Sequence, residues 1–219
     1  MSVSIHTIER KPRTENAGPA PLLIMLHGYG SNEHDLFDLA QYLDPRLHIV
    51  SARGVLSLPW GGFAWYNLGG TPGNLRPDPD TRERAVGFLE NFIRDLPGRL
   101  GTDPQRTFLL GFSQGAIMSL AMAMRLPERL AGVIALSGYL DPDLNIVPPP
   151  AGLAELDILQ IHGLYDDVIP IDAARRSREL FEATPARYTY SEDPIGHSIS
   201  LEGLQLIREW LDERLAEKD

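Results

Sequence analysis

The chain has 219 residues, 43% of them hydrophobic, no cysteine and a formal net charge of −10 at pH 7. That length suits one domain, residues 1–219, built on a continuous core, while the negative charge argues against nucleic acid or anionic membranes as partners, since phosphate binding needs a basic patch. The lack of cysteine excludes disulfides, thiolate metal sites and a cysteine nucleophile.

The opening residues carry Glu9, Arg10, Lys11 and Arg13 and do not resemble a secretory leader. No run approaches the ~20 apolar residues of a membrane span. The expectation is a cytoplasmic protein with no integral membrane segment. Strand-like apolar runs follow at residues 22–27, 47–52, 107–110, 133–136, 157–162 and 187–191. Amphipathic segments predict helices over 33–43, 81–100, 114–126, 172–182 and 200–217. Asp80 and Ser200 are placed to cap two of these helices, and Pro127 and Pro185 to close two. This alternation predicts a mainly parallel α/β sheet with helices on both faces. Arg175, Arg176 and Arg178 stand between Asp172 and Glu179 in a predicted helix and read as a solvated face.

Two stretches lack periodicity. Residues 55–79 are rich in glycine and proline yet carry Leu56, Leu58, Trp60, Phe63, Trp65, Tyr66 and Leu68, a heavy apolar load for a loop. Residues 141–155 include Pro148, Pro149 and Pro150 and are too short to form a helical lid, so an open pocket is expected.

The sharpest signal is Gly111-Phe112-Ser113-Gln114-Gly115, between an apolar strand and an Ala/Met/Leu-rich helix. A strand reversing directly into a helix brings two backbones together, and only very small residues two positions either side of the serine avoid a clash. Such an elbow projects the Ser113 hydroxyl above the sheet and aims the Gln114 amide at the same space. The five-residue pattern alone is not rare, so context decides.

A serine hydroxyl needs an adjacent base, and the base needs a third group to orient it. Of six histidines, His197 alone follows a suitable acid in a glycine-flanked turn past a predicted strand. For the acid the residues leave a choice between Asp166 and Asp167, with Asp193 requiring an unusual turn. All lie at carboxyl ends of parallel strands, the edge that also carries Ser113. The loop Leu26-His27-Gly28-Tyr29-Gly30 is placed to offer the Tyr29 amide as a second oxyanion donor. No metal-ligand spacing, dinucleotide fingerprint or phosphate loop is present, so no metal or cofactor is expected.

Taken together, Leu26-His-Gly-Tyr-Gly, Gly111-Phe-Ser-Gln-Gly, His162-Gly-Leu-Tyr-Asp-Asp-Val-Ile-Pro and Gly196-His-Ser resemble the phospholipase/carboxylesterase family of small α/β-hydrolases, which includes the acyl-protein thioesterases. The resemblance spans most of the chain. It implies the α/β-hydrolase fold without a large cap. By position it also implies Ser113 as nucleophile, Asp166 as acid and His197 as base, with the amides of Tyr29 and Gln114 as oxyanion hole. Members hydrolyse esters or thioesters without a cofactor, and several are dimers, so the resemblance extends to a homodimer. Tyr29 replaces a commoner aliphatic residue. The stretch from Trp60 to Tyr66 is closer to bacterial carboxylesterases than to long-chain thioesterases. The expectation is therefore a serine carboxylesterase for short- to medium-chain esters, with Leu56, Leu58, Trp60, Trp65 and Tyr66 as apolar walls; the alternatives are an acyl-protein thioesterase or lysophospholipase acting on longer acyl chains, and a non-catalytic scaffold of the same fold. The stripe Leu204, Ile207, Leu211 and Leu215 is expected to face the core.

Overall fold

Leu22–Leu26 (β2) is an unbroken apolar run, as expected of a strand covered on both faces, and all five residues have no accessible surface. Leu22, Ile24 and Leu26 enter one core cluster, whereas Leu23 and Met25 enter a second on the opposite face. The computed structural model describes residues 5–15, 17–71, 74–144 and 149–216. The elements in chain order begin with Thr7–Arg10 (β1), β2 and His48–Ala52 (β3). Two small hairpins follow, Leu56–Ser57 (β4) with Phe63–Ala64 (β5), and Leu68–Thr71 (β6) with Asn74–Pro77 (β7). The chain continues as Pro79–Leu100 (α1), Thr107–Phe112 (β8), Gln114–Arg125 (α2), Gly132–Leu136 (β9) and Asp157–Gly163 (β10). It ends with Ile171–Glu182 (α3), Arg187–Asp193 (β11) and Leu201–Ala216 (α4).

Seven strands form one sheet in the order β1-β3-β2-β8-β9-β10-β11. Every pairing is parallel except β1 with β3. Residues of α1, α2 and α3 pack into the first core cluster, and Ile207, Trp210, Leu211 and Leu215 of α4 pack into the second. The α4 stripe thus faces the core at Ile207, Leu211 and Leu215, while Leu204 is half-buried. The fold is that of an α/β-hydrolase. No helix among the described residues is long and apolar enough to cross a membrane.

Two expectations are corrected. The stretch 33–43 is not an α-helix but a run of turns ending in a 3-10 helix at Phe37–Tyr42. Its backbone bonds span three residues, from the Leu39 amide to Leu36 O (3.0 Å) and from the Leu43 amide to Ala40 O (3.4 Å), and the Arg10 guanidinium, on β1, donates to the carbonyls at and beyond its end, those of Ala40, Asp44 (2.8 Å) and Leu47 (3.1 Å). Helix α1 is capped by Asp78, which accepts from the Thr81 amide at 2.9 Å, and not by Asp80. Pro79 explains the shift, because its fixed φ and missing N–H suit the first helical position and leave the cap to the residue before it. Strand β1 itself lies in a segment read only for its charge. By contrast Ser200 does cap α4, accepting from the Gly203 amide at 2.7 Å. Residues 142–144 and 151–155 form two 3-10 turns, and Pro148 lies outside the described residues.

Candidate active site

Ser113 sits between β8 and α2 with φ 54° and ψ −117°, a conformation rarely adopted by a residue with a side chain. Its neighbours show what permits the turn. A Cβ on Gly111 would lie 2.2 Å from the Gly115 carbonyl oxygen, and one on Gly115 would lie 1.9 Å from the Leu26 carbonyl oxygen. Both distances are impossible for real atoms, so glycine is demanded at each place. Gly28 also closes on the elbow, where an added Cβ would stand 3.3 Å from the Ser113 Cβ. The loop after β2 and the turn after β8 therefore meet at the serine.

That loop is held by its own hydrogen bonds. The Gly30 amide donates to Phe63 O (2.8 Å) and the Ser31 amide to Gly28 O (3.3 Å), whereas among the described residues the Tyr29 amide has no protein acceptor. Gln114 is the first residue of α2, where a helical amide has no partner within the helix. His27, fully buried, donates from Nδ1 to Gly28 O (2.7 Å) and accepts from the Gly54 amide at Nε2 (2.8 Å), which fixes one neutral tautomer. Burial lowers its pKa, favouring that uncharged form.

Sequence reasoning missed a strut between the two turns. Trp65 Nε1 donates to His27 O (2.9 Å) and the Trp65 amide donates to Gln114 Oε1 (2.8 Å). The other end of the Gln114 amide, Nε2, donates to Tyr66 O at 2.8 Å. Trp65 and Tyr66 were expected as pocket walls, yet Trp65 has no accessible surface and Tyr66 only 1%. A ring without exposed surface cannot meet a substrate, so both are core residues that brace the site from behind. Burial also raises the Tyr66 phenol pKa strongly, consistent with a neutral core group.

At the other end of the sheet edge, His197 Nδ1 donates to Asp166 Oδ2 at 2.7 Å, which leaves Nε2 as the bare acceptor of the ring. Asp166 Oδ1 accepts from the amides of Val168 (2.9 Å) and Ile169 (2.8 Å). The alternative acids are placed elsewhere. Asp167 is exposed, and Asp193 accepts from the Ser200 hydroxyl. The loops that carry Asp166 and His197 are zipped together, with the Leu164 amide on Asp193 O (2.7 Å) and the Tyr165 amide on Ile195 O (2.9 Å). A Cβ on Gly163 would lie 2.3 Å from the Gly196 carbonyl oxygen. The sequence also passed over His162, whose buried imidazole lies 3.3 Å from Asp166 Oδ2.

His197 approaches the elbow through Phe112, whose ring centroid is 4.9 Å from that of the imidazole. Among the described residues no hydrogen bond joins Ser113 Oγ to His197. Beside them opens a cavity of about 210 Å³ lined by Leu36, Leu39, Phe112, Ile199, His197 and Ser198, with Asp35 also on its wall. None of Leu56, Leu58, Trp60, Trp65 or Tyr66 lines it. Leu58 is buried in the hairpin, Leu56 is half-buried, and Trp60 stands 73% exposed at the hairpin tip. The tip packs on the loop after β2, since a Cβ on Gly62 would lie 2.0 Å from the Gly30 carbonyl oxygen. Among the described residues no group of three or more His, Asp or Glu side chains is arranged to hold a metal ion.

A family model described as Phospholipase/Carboxylesterase matches residues 11–215. Acyl-protein thioesterase 1 of Neurospora crassa is 29% identical over 213 residues, covering 88% of this chain and 86% of the relative. A probable carboxylesterase of Oryza sativa subsp. japonica is 26% identical over 215 residues, covering 92% and 91%. Among solved structures, that of esterase PE8 superposes with a TM-score of 0.80 at 29% identity, over 96% of this chain and 99% of the other.

Proposed function

Because the chain belongs to the phospholipase/carboxylesterase family of α/β-hydrolases, and is a hydrolase, we propose that it is a serine carboxylesterase cleaving short- to medium-chain esters through an acyl-enzyme. Ser113 is the nucleophile, His197 the base and Asp166 the acid. His197 Nε2 removes the hydroxyl proton as Ser113 Oγ attacks the ester carbonyl, and Asp166 stabilises the imidazolium that forms. The amides of Tyr29 and Gln114 receive the developing oxyanion, each worth ~2.7–4 kcal/mol to the transition state. The imidazolium then protonates the departing alcohol, and water activated by the same base cleaves the acyl-enzyme.

The observation that carries this reading is the 2.7 Å pairing of His197 with Asp166 beside a serine held at positive φ. A direct Ser113–His197 hydrogen bond is not required beforehand, since such contacts commonly tighten only once substrate binds.

The cavity beside His197 would take the apolar part of the ester against Leu36, Leu39, Phe112 and Ile199. These four side chains give a short acyl group an apolar surface to lie on. Trp60, exposed at the tip of the hairpin that packs on the loop carrying Tyr29, is retained as a rim contact for substrate. The name of the Neurospora relative favours one alternative, hydrolysis of long-chain acyl thioesters. A ladder of p-nitrophenyl acetate, butyrate, octanoate and palmitate, with a palmitoyl thioester alongside, separates the two. A kcat/KM maximum at butyrate or octanoate supports the carboxylesterase, and a maximum on the palmitoyl thioester replaces it with the alternative.

A further inference from the structure

His162 is a buried imidazole for which the reaction above has no use. It is the sixth residue of β10, its side chain has no accessible surface, and its Nε2 lies 2.8 Å from the carbonyl oxygen of Ile169 and 3.3 Å from Asp166 Oδ2. Both neighbours are acceptors, so Nε2 must carry the proton. The remaining nitrogen, Nδ1, is buried and without a hydrogen-bond partner. The ring therefore uses one nitrogen only, and that nitrogen faces the carboxylate that holds His197.

The geometry around that carboxylate is closed on both sides. Asp166 Oδ1 accepts from the Ile169 amide, and the carbonyl of the same residue accepts from His162. Oδ2 accepts from His197 at 2.7 Å and lies 3.3 Å from His162 Nε2, whose proton goes to Ile169 O at 2.8 Å. Rotating the carboxylate out of the His197 plane would carry Oδ2 away from His162. Shifting the 166–169 turn would break the bond to Ile169 O. We propose that His162 is a positioning residue, whose Nε2–H, by donating to Ile169 O, holds the turn that fixes Asp166 so that His197 presents Nε2 to Ser113. It touches neither substrate nor reacting atoms, so it acts on turnover and leaves binding unchanged.

The inference rests on Asp166 acting as the acid, and the experiment separates the two claims. In the full chain, His162→Gln puts an amide N–H near the Nε2 position, His162→Asn puts it near Nδ1, and His162→Leu removes it. With p-nitrophenyl butyrate, His162→Leu should lower kcat by roughly tenfold to a hundredfold with KM within about twofold, and His162→Gln should recover kcat to within about threefold. The downfield proton resonance of His197 Nδ1 should stay sharp in His162→Gln and broaden or vanish in His162→Leu. Wild-type kcat in His162→Leu overturns the proposal, and so do equal losses in the Gln and Asn variants. If the Leu variant does not fold, the Gln and Asn pair still decides, because the proposal requires the Gln variant to be faster. Asp166→Asn is run beside them: full activity there defeats the reading of the acid itself. A crippled Asp166→Asn with an unimpaired His162→Leu defeats only the role of His162.

Discussion

The two corners of the site are built by different means. The nucleophile corner proposed for Ser113, where β2 and β8 turn, is shaped by backbones in contact: Gly111 and Gly115 have no room for a further carbon, Gly28 stands close to the Ser113 side chain, and Ser113 is strained among them. The Asp166–His197 corner, where β10 and β11 end, has one such contact, Gly163 against Gly196, but its polar groups are set by side-chain hydrogen bonds, from His197 to Asp166, from the Val168 and Ile169 amides to Asp166, and from His162 to Ile169 O. Steric exclusion tolerates no substitution yet supplies no chemistry of its own. A hydrogen-bonded carboxylate can be replaced without collapse but loses its function. The first corner should therefore fail as structure and the second as catalysis.

The largest expected effect is catalytic. Asp166→Asn should reduce kcat by about 10⁴-fold, the cost of leaving the base unsupported and wrongly tautomerised. Its unfolding midpoint in urea should move little. A large stability loss with modest kinetics would erase the contrast between the corners. Next, Gly115→Ala should destabilise by about 4 kcal/mol or more, since the new methyl meets the Leu26 carbonyl and the chain has no soft neighbour to displace. Urea denaturation measures it, and a loss below about 1 kcal/mol would show that the elbow relaxes freely.

A smaller effect probes the strut that joins the nucleophile corner to the loop in front of α1. Trp65→Phe leaves the buried His27 carbonyl without its indole donor, which should cost about 1–3 kcal/mol in stability. It should also lower kcat by roughly tenfold, as the Tyr29 amide loses its alignment. Unchanged kcat with lowered stability would assign Trp65 to packing alone.

Smallest is the effect of Glu33, outside both corners. Its buried carboxylate accepts from Arg53 (Nε, 2.6 Å), with His6 and His34 at 3.6 and 3.4 Å, and the Arg53 bond holds its pKa down at about 2 from an ordinary 4.5. The unfolded chain takes up this proton first as pH falls. The stabilisation is thus complete above pH 4.5 and lost as pH drops through about 2. Glu33→Gln should cost about 1–2 kcal/mol at pH 7, and the gap to wild type should narrow across that acid window. A gap independent of pH would show that the charge contributes nothing.

The contrast between the corners also explains what the sequence made legible. Strands such as Leu22–Leu26 announce themselves because both faces are buried. The elbow does so because contact between backbones admits only glycine. Features set by distant partners do not. Residues 33–43 carry a helical pattern, and nothing local announces that Arg10, on β1, grips the carbonyls of Ala40 and Asp44 at their end. The aromatic load of 55–79 was readable as packing onto something, but not as a strut, because no local pattern says that Trp65 reaches His27 and Gln114. His162 shows the same limit. It stands four residues before Asp166, and only the turn that folds Ile169 back reveals what its ring does.

The central claim, that Ser113 becomes an alkoxide-like nucleophile, is tested most directly by trapping. The protein is treated with a fluorophosphonate, or quenched during turnover of p-nitrophenyl butyrate, and the adduct is located by intact-mass and peptide mass spectrometry. One covalent group per chain is expected, on Ser113, and none in Ser113→Ala. Turnover without any adduct, or an adduct on another residue that Ser113→Ala retains, would contradict it.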